Sequence, residues 1–142
     1  MLGTYSEPVI QDVDIPIVNA AAFLEFFQHE IGLSPIWICP FRSYDPSHVF
    51  SLVPTNPKTL YVNFGFWDAV ATRTPHEEGH FNRMIERKVL ELGGIKSLYS
   101  DSYFEADEFW RIYNKEAYDR LKSKYDPKGR LADLYRKCVL RA

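Results

Sequence analysis

His76-Glu77-Glu78-Gly79-His80 carries the spacing of the zinc-protease pattern H-E-x-x-H. Two histidines one turn apart on a helix can hold a metal ion, with Glu77 as general base toward its bound water. That chemistry needs a third ligand and an unbroken helix, yet Pro75 precedes the motif and Gly79 lies inside it. Thr74-Pro75-His76-Glu77 reads instead as a helix start. Thr74 caps, Pro75 takes the first helical position and Glu77 completes a capping box. The expectation is a capped, solvated first turn without metal, with zinc hydrolysis as the alternative. Cys39 and Cys138 have no cationic or helix-terminal setting that would activate a thiol, so both are expected to be small buried residues. Tyr103, Phe104, Phe109, Trp110, Tyr113, Tyr118, Tyr125 and Tyr135 are expected to pack helices on a sheet. Asp101, Glu105, Asp107 and Glu108 among them argue against nucleic acid. The sequence offers no Gly-rich phosphate loop, paired-carboxylate site or Ser-His-Asp constellation.

The elements around these residues follow from periodicity. Val9, Gln11, Val13 and Ile15 alternate with Ile10, Asp12 and Asp14, which predicts a half-buried strand ending at Pro16. Asn19 is placed to cap a helix over 20–31, whose stripe is Ala20, Phe23, Leu24, Phe27 and Ile31, with Gly32 as its stop. Residues 35–41 read as a second strand. Residues 42–58, with Pro46, Pro54 and Pro57, read as a long loop. Leu60 to Phe66 alternates as a third strand. Phe81, Met84, Ile85, Val89 and Leu92 mark a second helix that ends at Gly93-Gly94. Residues 95–101 read as a fourth strand. Helices over about 105–113 and 115–124, a turn at 125–129 and a short helix from Leu131 complete the chain. The order βαββαβ predicts an α+β, ferredoxin-like antiparallel sheet with helices on one face, plus C-terminal helices. The other sheet face is left open.

The 142 residues suit a single domain, residues 1–142, with a core of ordinary composition: 46% hydrophobic and 25% charged. Aromatic residues reach 15%, and that many rings need a packed core or a surface built to be covered. A net charge of −2 gives no case for nucleic acid. No apolar run has the length of a membrane span, and no signal peptide is visible. Two cysteines are too few for a disulfide framework, so a reduced cytoplasmic compartment is expected.

Three blocks carry a family resemblance. They are Val9-Ile10-Gln11-Asp12-Val13-Asp14-Ile15-Pro16, Ser34-Pro35-Ile36-Trp37-Ile38-Cys39-Pro40-Phe41, and the stretch from Gly93-Gly94 through Leu98-Tyr99, Asp101-Ser102, Phe109-Trp110 and Tyr113 to Lys137-Cys138. In this order they resemble the C-terminal cap, or substrate, lobe of flavin-dependent oxidoreductases of the delta(24)-sterol reductase type, in the vanillyl-alcohol-oxidase superfamily. The resemblance implies FAD held mainly by a larger N-terminal domain, which this chain is expected to lack. It implies NADPH or NADH as reductant and hydride transfer to a carbon–carbon double bond of an apolar, sterol-like or acyl substrate. The parent enzyme would be cytoplasmic or membrane-associated.

Under that resemblance, Trp37, Tyr61, Asn63, Tyr99 and Ser100 are the expected substrate-binding residues, and the chain alone is expected to be inactive. In a sugar-oxidising branch of the superfamily, a lysine precedes the Asp-Ser pair and faces the flavin. Ser100 stands at that position here. The expected partners are an FAD-binding domain or subunit, an apolar small molecule and, on the open face, a second copy of this chain. Two alternatives belong beside this reading: a lobe of a flavin alcohol or aldehyde dehydrogenase, and a stand-alone ferredoxin-like binding module.

Overall fold

The computed structural model describes residues 4–53 and 55–142; Pro54 of the long loop lies outside the described residues. Two twelve-residue strands dominate it. Strand β1 (Tyr5–Pro16) pairs antiparallel with β3 (Tyr61–Thr72) along its whole length, from Tyr5↔Thr72 to Pro16↔Tyr61. Strand β2 (Trp37–Phe41) flanks β3, and β4 (Ile95–Lys96) flanks β1, giving the order β2-β3-β1-β4. All pairings are antiparallel, as the split βαβ pattern requires.

One face is apolar and covered. Val9, Val13 and Ile15 of β1 and Val62, Phe64 and Phe66 of β3 meet helices α1 (Ala20–Phe26) and α2 (His80–Glu91) in a single core. Helix α1 runs on through a wider turn, Phe27–Ile31, and stops at Gly32, whose φ is 72°. Phe23 stacks on Phe64 at 5.0 Å and Phe27 on Phe66 at 4.4 Å between ring centres. Each such buried ring contributes roughly 1.5–3 kcal/mol. A buried polar chain pins α2 to β1. Gln11 Nε2 donates to Asn82 Oδ1 (2.7 Å), and the Asn82 backbone and side-chain N–H groups donate to Glu7 Oε1 (3.0 and 2.7 Å).

Several expectations are corrected. Cys39, expected to be buried like Cys138, is only half-buried on β2. Helix α2 begins at His80, not at Thr74-Pro75. Gly79 adopts φ 75° with the Tyr103 ring against its Cα, and a Cβ there would lie 2.3 Å from Tyr103 Cε1. That left-handed residue breaks the helix, so the capping box is unused. His76 therefore precedes the helix, and its ring stacks flat on His80 at 4.1 Å rather than sharing a helix face with it.

The fourth strand ends at Lys96 rather than at 101. After the last rung, Ser97 N–H to the Asp12 carbonyl (2.9 Å), the chain curls around the Lys96 ammonium. That group donates to Ser100 Oγ (3.1 Å) and the Asp101 carbonyl (2.8 Å).

The C-terminal aromatics pack mainly helix to helix rather than helix to sheet. Helices α3 (Ala106–Ile112), α4 (Lys115–Tyr125) and α5 (Leu134–Cys138) enclose Phe104, Phe109, Tyr113 and Cys138 beside Ile95. The Tyr113 hydroxyl donates to the Lys96 carbonyl at 2.8 Å. Tyr125 stays exposed, and Tyr103 packs between Arg83 and Arg141.

Candidate active site on the open sheet face

Strand register arranges the uncovered face in rows. Trp37, Gly65 and Asp12 lie side by side across β2, β3 and β1; Cys39, Asn63 and Asp14 form the next row; Phe41, Tyr61 and Pro16 form the third. Ile10 and Trp67 make a further pair beyond Asp12. Alternation along β2 and β3 thus puts Trp37, Cys39, Phe41, Tyr61 and Asn63 on the side opposite Ile38, Val62 and Phe64. The face is apolar at its rim and acidic at its centre.

Each side chain is held by a local cause. Gly65 has no side chain, and the space is taken by the Asp12 carboxylate and the Trp67 indole; a Cβ would lie 2.3 Å from Asp12 Oδ1 and 2.8 Å from Trp67 Cη2. The Trp67 Nε1–H donates to the Tyr99 hydroxyl at 3.1 Å. Loss of water around the phenol, followed by the Asp12 carboxylate, pushes the Tyr99 pKa up to about 12, against the pull of the Trp67 donor. Asp14 is half-buried and accepts from Asn63 Nδ2 at 2.9 Å. Desolvation holds its carboxyl above the ordinary carboxylate range, with the Asp12 charge adding to the effect and the Asn63 bond opposing it.

The long loop after β2 roofs part of this face and borders an open-mouthed cavity of about 580 Å3. Phe41, Phe50, Val53 and Tyr61 give it apolar walls, and Asp14 lies in its lining. Tyr61 is buried beneath the loop. Its ring stacks on Phe41 at 5.9 Å, and its hydroxyl accepts from Asn56 N–H at 3.1 Å. A cavity of this size with apolar walls and a few charged groups, Asp14, Arg42, Asp45 and His48, suits a largely apolar small molecule.

Of the five expected residues, Trp37, Tyr61 and Asn63 share the open face in neighbouring rows, with Tyr99 at its edge on the turn after β4. Ser100 is turned away from the roofed cavity. Its Oγ accepts from Lys96, and it lines a second cavity of about 590 Å3 with Tyr99, Tyr103 and Arg141. Lys96 itself is buried on the helix-covered side, near Glu86, and its position excludes it from the open face. Asp12, Asp14 and Trp67 belong to the site and were not among the expected residues. The alternation that placed Val13 and Ile15 in the core also placed the two aspartates on the opposite side, and that was the available signal.

Similar stretches occur within longer proteins. The chain is 30% identical to the delta(24)-sterol reductase of Homo sapiens over 131 residues, covering 91% of this chain and 25% of that protein. It is 26% identical to the Arabidopsis thaliana delta(24)-sterol reductase over 144 residues, 91% of this chain and 26% of the relative. A delta(24)-sterol reductase homolog of Caenorhabditis elegans matches at 24% over 129 residues, 91% of this chain and 24% of the relative. This chain is delta(24)-sterol reductase-like. The likeness is at family level and extends over 91% of the chain. It spans about a quarter of the length of the curated relatives it matches. No family model and no solved structure matches it. Among the described residues, no helix is long and apolar enough to cross a membrane.

Proposed function

We propose that this chain is the substrate-side lobe of an FAD-dependent oxidoreductase that reduces a carbon–carbon double bond in an apolar lipid, sterol-like or acyl. The observation that carries the reading is the roofed cavity of about 580 Å3 on the open sheet face, apolar in its walls and acidic in its lining. Outside the cavity on the same face, Trp37 and Trp67 are each more than half exposed and offer flat apolar surface that fits the ring end of a flavin, and the Tyr99 hydroxyl accepts from Trp67. The cavity itself does not fit the pyrophosphate end, because Arg42 is the sole arginine or lysine among the described residues lining it. A separate flavin-binding domain or subunit would therefore hold FAD and dock on this rim, in a cytoplasmic or membrane-associated enzyme.

Bound there, reduced flavin would supply a hydride, with NADPH or NADH as its reductant. This chain would enclose the substrate, hold its double bond in place and exclude water. Phe41, Phe50, Val53 and Tyr61 would supply the apolar walls, and Asp14, positioned by Asn63, a polar contact. The test is anaerobic. The flavin-loaded assembly is reduced and mixed with a delta(24)-unsaturated sterol. Return of the oxidised flavin absorbance with formation of the saturated sterol supports the reading. No return with the sterol, but bleaching of the oxidised assembly by an alcohol, would replace it with the dehydrogenase reading.

A further inference from the structure

Reduction of an isolated double bond needs a proton as well as a hydride, and the acid must hold that proton near neutral pH. We infer that the Asp14 carboxyl is the proton donor to the substrate carbon in the roofed cavity. This rests on the reading above. Asp14 lies in the middle row of the sheet, between Asn63 on β3 and Ile95 on β4, and lines the cavity beside Phe41, Phe50 and Tyr61. Asn63 Nδ2 fixes one carboxyl oxygen at 2.9 Å, which leaves the other to carry the proton. The groups facing it are Asp12 from its own strand and Arg42, Asp45 and His48 from the loop. Among these influences burial is the largest, and it favours the neutral, proton-bearing form.

The other candidates are less suited. The Tyr99 hydroxyl is held to about 12, already accepts from Trp67, and its ring is 55% exposed on a turn. The Asp45 carboxylate accepts from the Ser47 hydroxyl and backbone N–H, which hold its pKa below the ordinary range. Asp12 is wedged over Gly65 beside the Trp67 ring. His48 is the rival in the same cavity, packed edge-on against Phe50 at 4.9 Å.

The step balances. The carbon–carbon π bond breaks as the hydride of reduced flavin forms one C–H bond and the Asp14 proton forms the other. Flavin leaves oxidised, the alkene is reduced, and the Asp14 carboxylate regains a proton from water.

The test uses the flavin-loaded assembly with a delta(24)-unsaturated sterol, in wild type, Asp14→Asn, Asp14→Glu and His48→Gln. Asp14→Asn should keep its flavin content and its rate of reduction by the nicotinamide. Its flavin reoxidation by the sterol should slow about 100-fold or more, with Asp14→Glu recovering part of the rate. In wild type, reoxidation should fall as pH rises through the Asp14 pKa, and the Asp14→Asn rate should be flat. Separately, carboxyl-carbon NMR of the wild-type chain should show Asp14 titrating above free aspartate. Loss in His48→Gln with none in Asp14→Asn overturns the assignment, as does an Asp14 titration at or below free aspartate. If wild type itself is not reoxidised by the sterol, the functional reading fails and the assignment falls with it.

Discussion

Lys96→Met should destabilise the fold by about 2–4 kcal/mol. The ammonium is 2% exposed and donates to the Asp101 carbonyl and Ser100 Oγ. Glu86, also 2% exposed, accepts from Ser102 Oγ (2.8 Å) and Tyr103 N–H (3.1 Å), and is the strongest countercharge Lys96 feels. Losing one charge-assisted bond costs about 1.5–3 kcal/mol, and leaving a buried charge without its partner costs about 3–5 kcal/mol. Relief of the ammonium's own desolvation offsets part of this. Burial raises the Glu86 pKa, so its ionised form is the costly one in the folded chain. As pH falls through that raised pKa, the native state takes up a proton that the unfolded chain does not yet bind, and stability rises. The variant should therefore be less impaired at about pH 5 than at about pH 8. Urea unfolding followed by tryptophan fluorescence reads both effects. Glu86→Gln combined with Lys96→Met should recover a large part of the loss. A single-variant cost below about 1 kcal/mol, with an additive double variant, would refute the coupling of the two buried charges.

Gly79→Ala should cost about 2 kcal/mol in urea unfolding, because the new methyl meets both the left-handed backbone and the Tyr103 ring. A neutral result would show that the ring is not seated there. Phe27→Ala, in the centre of the helix-to-sheet core, should cost about 3–5 kcal/mol, and a loss under about 1 kcal/mol would contradict the packing described. The purified chain alone should carry no stoichiometric FAD; a yellow protein with one flavin per chain would refute the division of labour proposed. In the flavin-loaded assembly, Tyr61→Ala and Tyr99→Ala should lower turnover while leaving FAD content intact. Wild-type turnover in both would make this face structural only.

The parts of the fold that depend on neighbouring residues were legible in the sequence. Val9, Val13 and Ile15 alternate with polar residues, and that alternation alone gives β1 its faces. Phe23, Phe27 and Ile31 recur at helical spacing, and Gly32 stops the helix as a left-handed cap. The misread parts depend on distant contacts. Thr74-Pro75-His76-Glu77 has every local sign of a helix start, but the Tyr103 ring, packed from far along the chain, meets a left-handed Gly79. Residues 97–101 could continue β4, but a buried ammonium gathers their oxygens into a turn. Strand β3 runs to Thr72 because Tyr5–Val9 extend to pair with it, and this brings in Trp67. Asp14 gained a role only when the loop after β2 folded over it, and no local pattern specifies that closure.

Under the proposed function the open sheet face, not the helix-covered one, meets the flavin domain and the substrate. Amide hydrogen exchange, compared for the chain alone and in the flavin-loaded assembly, tests it most directly. Slowed exchange should concentrate in β2, the loop after it and the turn carrying Tyr99 and Ser100, and deepen when the delta(24)-unsaturated sterol is added. Protection confined to α1 and α2, with β2 and that loop unchanged, would contradict the account.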